Sequence, residues 1–174
     1  EIFNYLELKI ELKENGYKFK SRTDTEVVMA SYDHWGHKCL NRFNGMWAFV
    51  IYDKLENKLF MSRDRFGIKP FYYYKDENHF IFASEIKAII KHPVVKTAPN
   101  IEYCRDYIKS RSKDYLTTTP FENILRLDYA SYLEVELDKF SKYNIKEKKY
   151  WAIDSHNKKV KFNKKTALKY SEEY

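Results

Sequence analysis

The sequence predicts an α+β fold in which antiparallel sheets stack on one another and helices cover their outer faces. Three observations predict it. Two helical segments come first, a run of short strands follows, and another helix closes the run. The segment "MWAFVIYD", residues 46–53, is apolar almost throughout, so a strand there needs cover on both faces. Short polar connections, Asp53 to Lys58 and Lys75 to Asn78, join consecutive strand segments as hairpin loops do. Helices on one side of the apolar strand and a second sheet on the other would bury both of its faces.

Each element has its own signal. "EIFNYLELKIELKENG" places Ile2, Tyr5, Leu6, Leu8 and Leu12 at imperfect helical spacing, and Asn15-Gly16 is a stop. On this reading Glu1 is an acidic residue of the first helical turn. "YKFK" is a short extended piece. Thr23, with Glu26 three residues later, predicts a capping box and puts Asp24 in the first turn of a second helix. Val27, Val28, Ser31 and Trp35 continue that helix, and Gly36 ends it. "MWAFVIYD", "NKLFMSRD", "FYYYK" and "HFIFAS" are the strands. Ser84 is the predicted cap of the helix "SEIKAIIKH", which Pro93 stops. Beyond it, "APNIEYCRDYIKSRSKDY" predicts a helix and "TTTPFENILRL" an extended or looped stretch. "SYLEVEL" and "KKYWAI" predict strands, and "NKKTALKYSEEY" the first turns of another helix.

The stretch "RDRFGIKP", residues 63–70, reads as a turn with a structural role. Asp64 can fold its carboxylate onto nearby backbone N–H groups, Gly67 can take a positive φ, and Pro70 fixes the entry to the next strand, at an edge or a first position.

Composition removes several function classes. A chain of 174 residues suits one domain, or one domain and a piece of another. Glycine and proline number four each, which excludes a low-complexity chain. No stretch approaches the roughly 18 apolar residues of a membrane span, so no membrane partner is expected. Cys39 and Cys104 make no disulfide framework, and a reducing, cytoplasmic setting is expected. The net charge of +7 rests largely on lysines after residue 139, spread over every face with few arginines. That is a solvated surface rather than a nucleic-acid footprint, so no nucleic-acid partner is expected. His34, His37 and Cys39 offer three ligand types in six residues, but a helix stop divides them and no fourth ligand follows, so no metal site is expected.

Five motifs in order carry a family resemblance: "EIFNY" at the start, "TDTEV" at Thr23–Val27, "GMWAF" at Gly45–Phe49, "RDRFGIKP", and "SEIK" at Ser84–Lys87. In this register the chain resembles the class II glutamine amidotransferase domain of glutamine-hydrolysing asparagine synthases. The match is close over residues 1–95 and looser beyond, where "TPFENILRLD" and "YW" echo the path toward a synthetase domain. The resemblance implies an N-terminal-nucleophile-type four-layer α/β/β/α sandwich. Residues 1–95 would be the C-terminal part of the amidotransferase core, 96–153 its remainder and the connection, and 154–174 the start of the synthetase domain.

The resemblance also implies chemistry. The family hydrolyses the side-chain amide of glutamine, and the ammonia amidates aspartate in an ATP-dependent second domain. Asp24 would hold the α-ammonium of glutamine, and Glu1 would lie beside the oxyanion residues near the same end. A carboxylate is the natural partner of an ammonium. No catalytic residue is assigned here. The family's nucleophile is an N-terminal cysteine whose α-amino group is its base, and neither Cys39 nor Cys104 stands at a chain terminus. The oxyanion Asn-Gly and the arginine for the α-carboxylate would also lie outside these residues. The chain is therefore expected to be an inactive fragment that folds poorly alone, with glutamine and its own synthetase domain as partners. A homodimer is compatible with it. ATP and Mg are expected in the synthetase domain, with no cofactor held by these residues. A related amidotransferase acting on a sugar or another acid, and a degenerate domain that binds glutamine without cleaving it, are the alternatives.

Overall fold

The computed structural model describes residues 1–110, 117–138, 145 and 147–153. Helices α1 (Tyr5–Glu14) and α2 (Asp24–Trp35) come first, followed by a single 3₁₀ turn and the short α3 (Cys39–Arg42). Strands β1 (Ala48–Asp53), β2 (Lys58–Arg63), β3 (Tyr72–Lys75) and β4 (Phe80–Ala83) follow, then α4 (Ile86–Ile90) and α5 (Ile101–Ser110). Strands β5 (Ile124–Arg126), β6 (Ser131–Glu136) and β7 (Lys148–Lys149) complete the described elements. The last expected helix, in "NKKTALKYSEEY", lies outside the described residues.

The strands form two sheets, β1-β2-β6-β7 and β4-β3-β5, with every pairing antiparallel. Three apolar clusters separate the layers. Leu8, Leu12, Val27, Leu40 and Phe43 of the first three helices and their connections meet Phe49, Ile51, Phe60 and Tyr132 of the first sheet. On that sheet's other face, Ala48, Val50, Met61, Leu133 and Val135 meet Phe71, Tyr73, Phe80 and Leu125 of the second. Beyond the second sheet, Tyr72, Tyr74, Ile81 and Ile124 pack on Ile86, Ile89 and Ile90 of α4. The order is helix, sheet, sheet, helix, as predicted. Alternation along β1 produces it, because Phe49 and Ile51 face the helices while Ala48 and Val50 face the second sheet.

The hairpin loops form as expected. Asp53 Oδ1 accepts the Leu55 and Glu56 amides at 3.0 and 3.1 Å. Asp76 Oδ1 accepts those of Asn78 and His79 at 2.8 and 2.7 Å.

Four local expectations are corrected. Glu1 is not in a helix: α1 begins at Tyr5, and Glu1 and Met46 exchange both backbone bonds, at 2.6 and 3.0 Å. Gly45 makes this pairing possible, since its φ is +152° and a Cβ there would lie 2.2 Å from the Glu1 carbonyl oxygen. Thr23 stands at the N-cap of α2 without a capping bond, so the box does not form. Ser21 takes both partners: its hydroxyl lies 2.9 Å from that of Thr23, and its amide and hydroxyl both donate to Glu26, each at 2.7 Å. Ser84 caps nothing, because α4 starts later, at Ile86, with Glu85 at its N-cap. The strand in "KKYWAI" is two residues long, since Tyr150 and Trp151 turn in to pack on rings.

Candidate functional site

The β2–β3 turn is built around two buried charges. Asp64 is fully buried, and each of its carboxylate oxygens accepts two backbone amides. Oδ1 takes Phe66 at 3.1 Å and Ile68 at 2.9 Å; Oδ2 takes Trp47 at 3.3 Å and Lys69 at 2.9 Å. Arg63, 7% exposed, donates to the carbonyls of Lys69, Leu127 and Gly67. Gly67 has φ +63°, and a Cβ there would press within 3.0 Å of the Arg63 guanidinium. The turn is therefore a folded unit in its own right, and it fixes the backbone of Trp47 and Lys69.

Those fixed residues form part of a cleft of about 410 Å³. That volume lies within the ~300–1,000 Å³ range of small-molecule sites. One wall carries Glu1, Asp24 and Thr25, and Lys69 and Ser84 add further polar groups. Val28, Met46–Phe49 and Pro70 supply apolar surface. Asp24 is the first residue of α2, where the helix N-terminus favours a carboxylate. Its Oδ2 accepts the Ile2 amide at 2.9 Å and lies 3.9 Å from the Glu1 nitrogen. The fold thus brings Glu1 and Asp24, far apart in sequence, to one cleft. A carboxylate so held, with one lone-pair direction already used, is suited to an ammonium approaching from the open side.

Thr25, Lys69 and Ser84 are cleft residues that sequence reasoning missed. Ser84 was expected to cap a helix, and Lys69 to be one more residue of a structural turn. Only the stacking of the two sheets carries the end of β4 and the β2–β3 turn to the mouth of α2.

The remaining candidates lie elsewhere. Cys39 is fully buried in the helix–sheet core, and burial pushes its thiol up to about 12. Cys104 is on α5, and among the described residues no cysteine lines the cleft. His34 sits edge-on to Tyr17 and Trp35, while His37 stacks on Tyr132 at 5.5 Å. Among the described residues no group of three His, Cys, Asp or Glu side chains could hold a metal ion. No described helix is long and apolar enough to cross a membrane.

Known proteins match this arrangement. The family described as a glutamine amidotransferase domain matches residues 1–151. A putative asparagine synthetase [glutamine-hydrolyzing] 2 of Methanocaldococcus jannaschii is 38% identical over 163 residues, which is 90% of this chain and 29% of that protein. Asparagine synthetase [glutamine-hydrolyzing] 3 of Bacillus subtilis is 45% identical over 96 residues, covering 55% of this chain and 16% of the relative. The chain thus spans under a third of the length of these relatives. Among solved structures, the glutamine phosphoribosylpyrophosphate amidotransferase of B. subtilis superposes with a TM-score of 0.57 at 18% identity, over 86% of this chain and 27% of that one. At that identity the likeness speaks for the fold, which is the N-terminal-nucleophile sandwich.

Proposed function

Because the chain belongs to the glutamine amidotransferase domain family, we propose that its cleft holds the amino-acid end of glutamine, within a parent protein that is a glutamine-hydrolysing asparagine synthase. The observation that carries the reading is the pinned Asp24 carboxylate, open to the cleft beside Glu1. Asp24 takes the α-ammonium and Glu1 flanks the same end. Both act by binding and orienting, so that the side-chain amide is presented to a nucleophile. That nucleophile would be the family's N-terminal cysteine, supplied from outside these residues and activated by its own α-amino group. The thiolate would add to the amide carbon, ammonia would leave, and water would release glutamate from the thioester. The ammonia would then amidate aspartate in a synthetase domain of the parent. ATP and Mg belong to that domain, and no described residue of this chain is assigned to them.

The test uses the full parent protein and Asp24→Asn, which keeps an oxygen for the Ile2 amide and removes the charge. KM for glutamine is expected to rise at least tenfold, while synthesis driven by added ammonia stays unchanged. An unaltered KM would remove Asp24 from the site. A parent with no glutamine turnover would leave a binding domain. A polypeptide of residues 1–174 alone is expected to turn over no glutamine.

A further inference from the structure

We propose that the tip of the β2–β3 turn, together with Trp151 and Ile153, is the surface on which this domain receives the synthetase part of its parent protein. The proposal rests on the reading of the parent as a two-domain synthase. Phe66 and Ile68, at the tip, are 69% and 59% exposed. Large apolar side chains so exposed on a soluble domain mark contact surfaces when they are grouped and rigidly held. Here they are both. Trp151 stands edge-on to Phe66 at 5.6 Å, the Arg65 guanidinium lies 5.8 Å over the same indole, and Ile153 follows at 70% exposure. The backbone beneath Phe66 and Ile68 is pinned by Asp64, so a partner binding there has no turn to order.

Two observations favour the rest of the parent chain as occupant over a second copy or an unrelated protein. The sequence continues from Ile153 to Tyr174, leaving the described residues at the patch itself. The relatives are also far longer, this chain covering 29% and 16% of them. A domain tethered beside an apolar patch meets it at a high effective concentration. The partner surface fits if it offers an apolar socket with an acidic rim for Arg65.

The same surface is wired to the cleft. Tyr150 donates its hydroxyl to the Arg63 carbonyl at 3.0 Å and stacks on Trp47 at 6.1 Å, and Trp47 lines the cleft. Docking on Phe66 therefore bears on the segment that shapes the glutamine site.

The experiment compares Phe66→Glu and Phe66→Ala with Leu55→Ser in the full parent. Leu55 is 96% exposed at the β1–β2 hairpin, which lies at the opposite end of β2 from the patch. Limited proteolysis after residue 153, and glutamine consumed per product formed, are the readouts. Phe66→Glu is expected to speed cleavage at least fivefold and raise glutamine consumption per product several-fold, with ammonia-driven synthesis within twofold of wild type. Phe66→Ala is expected to follow in the same direction, more weakly. Behaviour identical to Leu55→Ser overturns the proposal. So does a concentration-dependent self-association that Phe66→Glu abolishes, since the patch would then belong to a second copy. If the parent hydrolyses no glutamine, the functional reading fails and the cleavage rate still judges the docking surface.

Discussion

Asp64 does at the scale of one side chain what a sheet does with many. Four amides from residues 47, 66, 68 and 69 converge on two oxygens in a fully buried setting. Asp64→Asn is nearly isosteric but replaces one oxygen with an N–H donor, which then faces two amides. Each unmet buried amide costs about 1–3 kcal/mol, so the variant is expected to lose roughly 2–6 kcal/mol in chemical denaturation. The turn's chemistry was legible in the sequence because Asx-type bonding and a positive-φ glycine are local events. The parts played by Lys69 and Ser84 were not, because nothing within a few residues of either shows where the sheets will carry it. Glu1 was misplaced for the same reason: its partner, Met46, is 45 residues away.

At the scale of elements, the α1–α2 connection depends on Glu26. The Lys20 amide first, then the Ser21 hydroxyl and amide, hold its carboxylate ionised and lower its pKa to about 2. A group depressed in the folded state contributes stability above its ordinary range, and loses it as pH falls through the folded value. Thermal stability is therefore expected to decline between about pH 4.5 and about pH 2 through this group. Glu26→Gln should flatten that part of the profile, as followed by circular dichroism. The sequence located the start of α2 correctly but not its bonding, because Ser21 competes for both members of the expected box. Long apolar segments were the easiest to place. β1 shows its need for cover on both faces in composition alone, whereas the two-residue β7 depends on the rings of Tyr150 and Trp151 packing against Trp47 and Phe66.

Over the whole molecule, stability resides in stacked interfaces rather than one centre. Met61 lies fully buried between the sheets, with Leu133, Tyr73 and Phe71 in the same cluster. Met61→Ala opens a cavity in that layer and is expected to cost about 2–5 kcal/mol in urea unfolding. Leu55→Ala, at an exposed hairpin tip, should stay within about 0.5 kcal/mol. The layer order was readable because one strand with no polar face demands neighbours on both sides. The family register supplied what periodicity alone does not, the pairing of Glu1 and Asp24 at one cleft.

The pinning of the β2–β3 turn also governs which lengths of chain the fold tolerates. Between Arg63 and Lys69, bonds to the two buried charges reach residues 66, 67, 68 and 69 in a fixed count. One residue inserted there would shift several donors and acceptors off their partners at once. The β1–β2 hairpin is held at its base, by the Asp53 loop bonds and by Asn57, which bonds Tyr52, Leu137 and Asp138, while its tip, Leu55, stands in solvent. Insertions and deletions in homologous chains should therefore collect at the hairpin tip and spare the turn, although both connect consecutive strands.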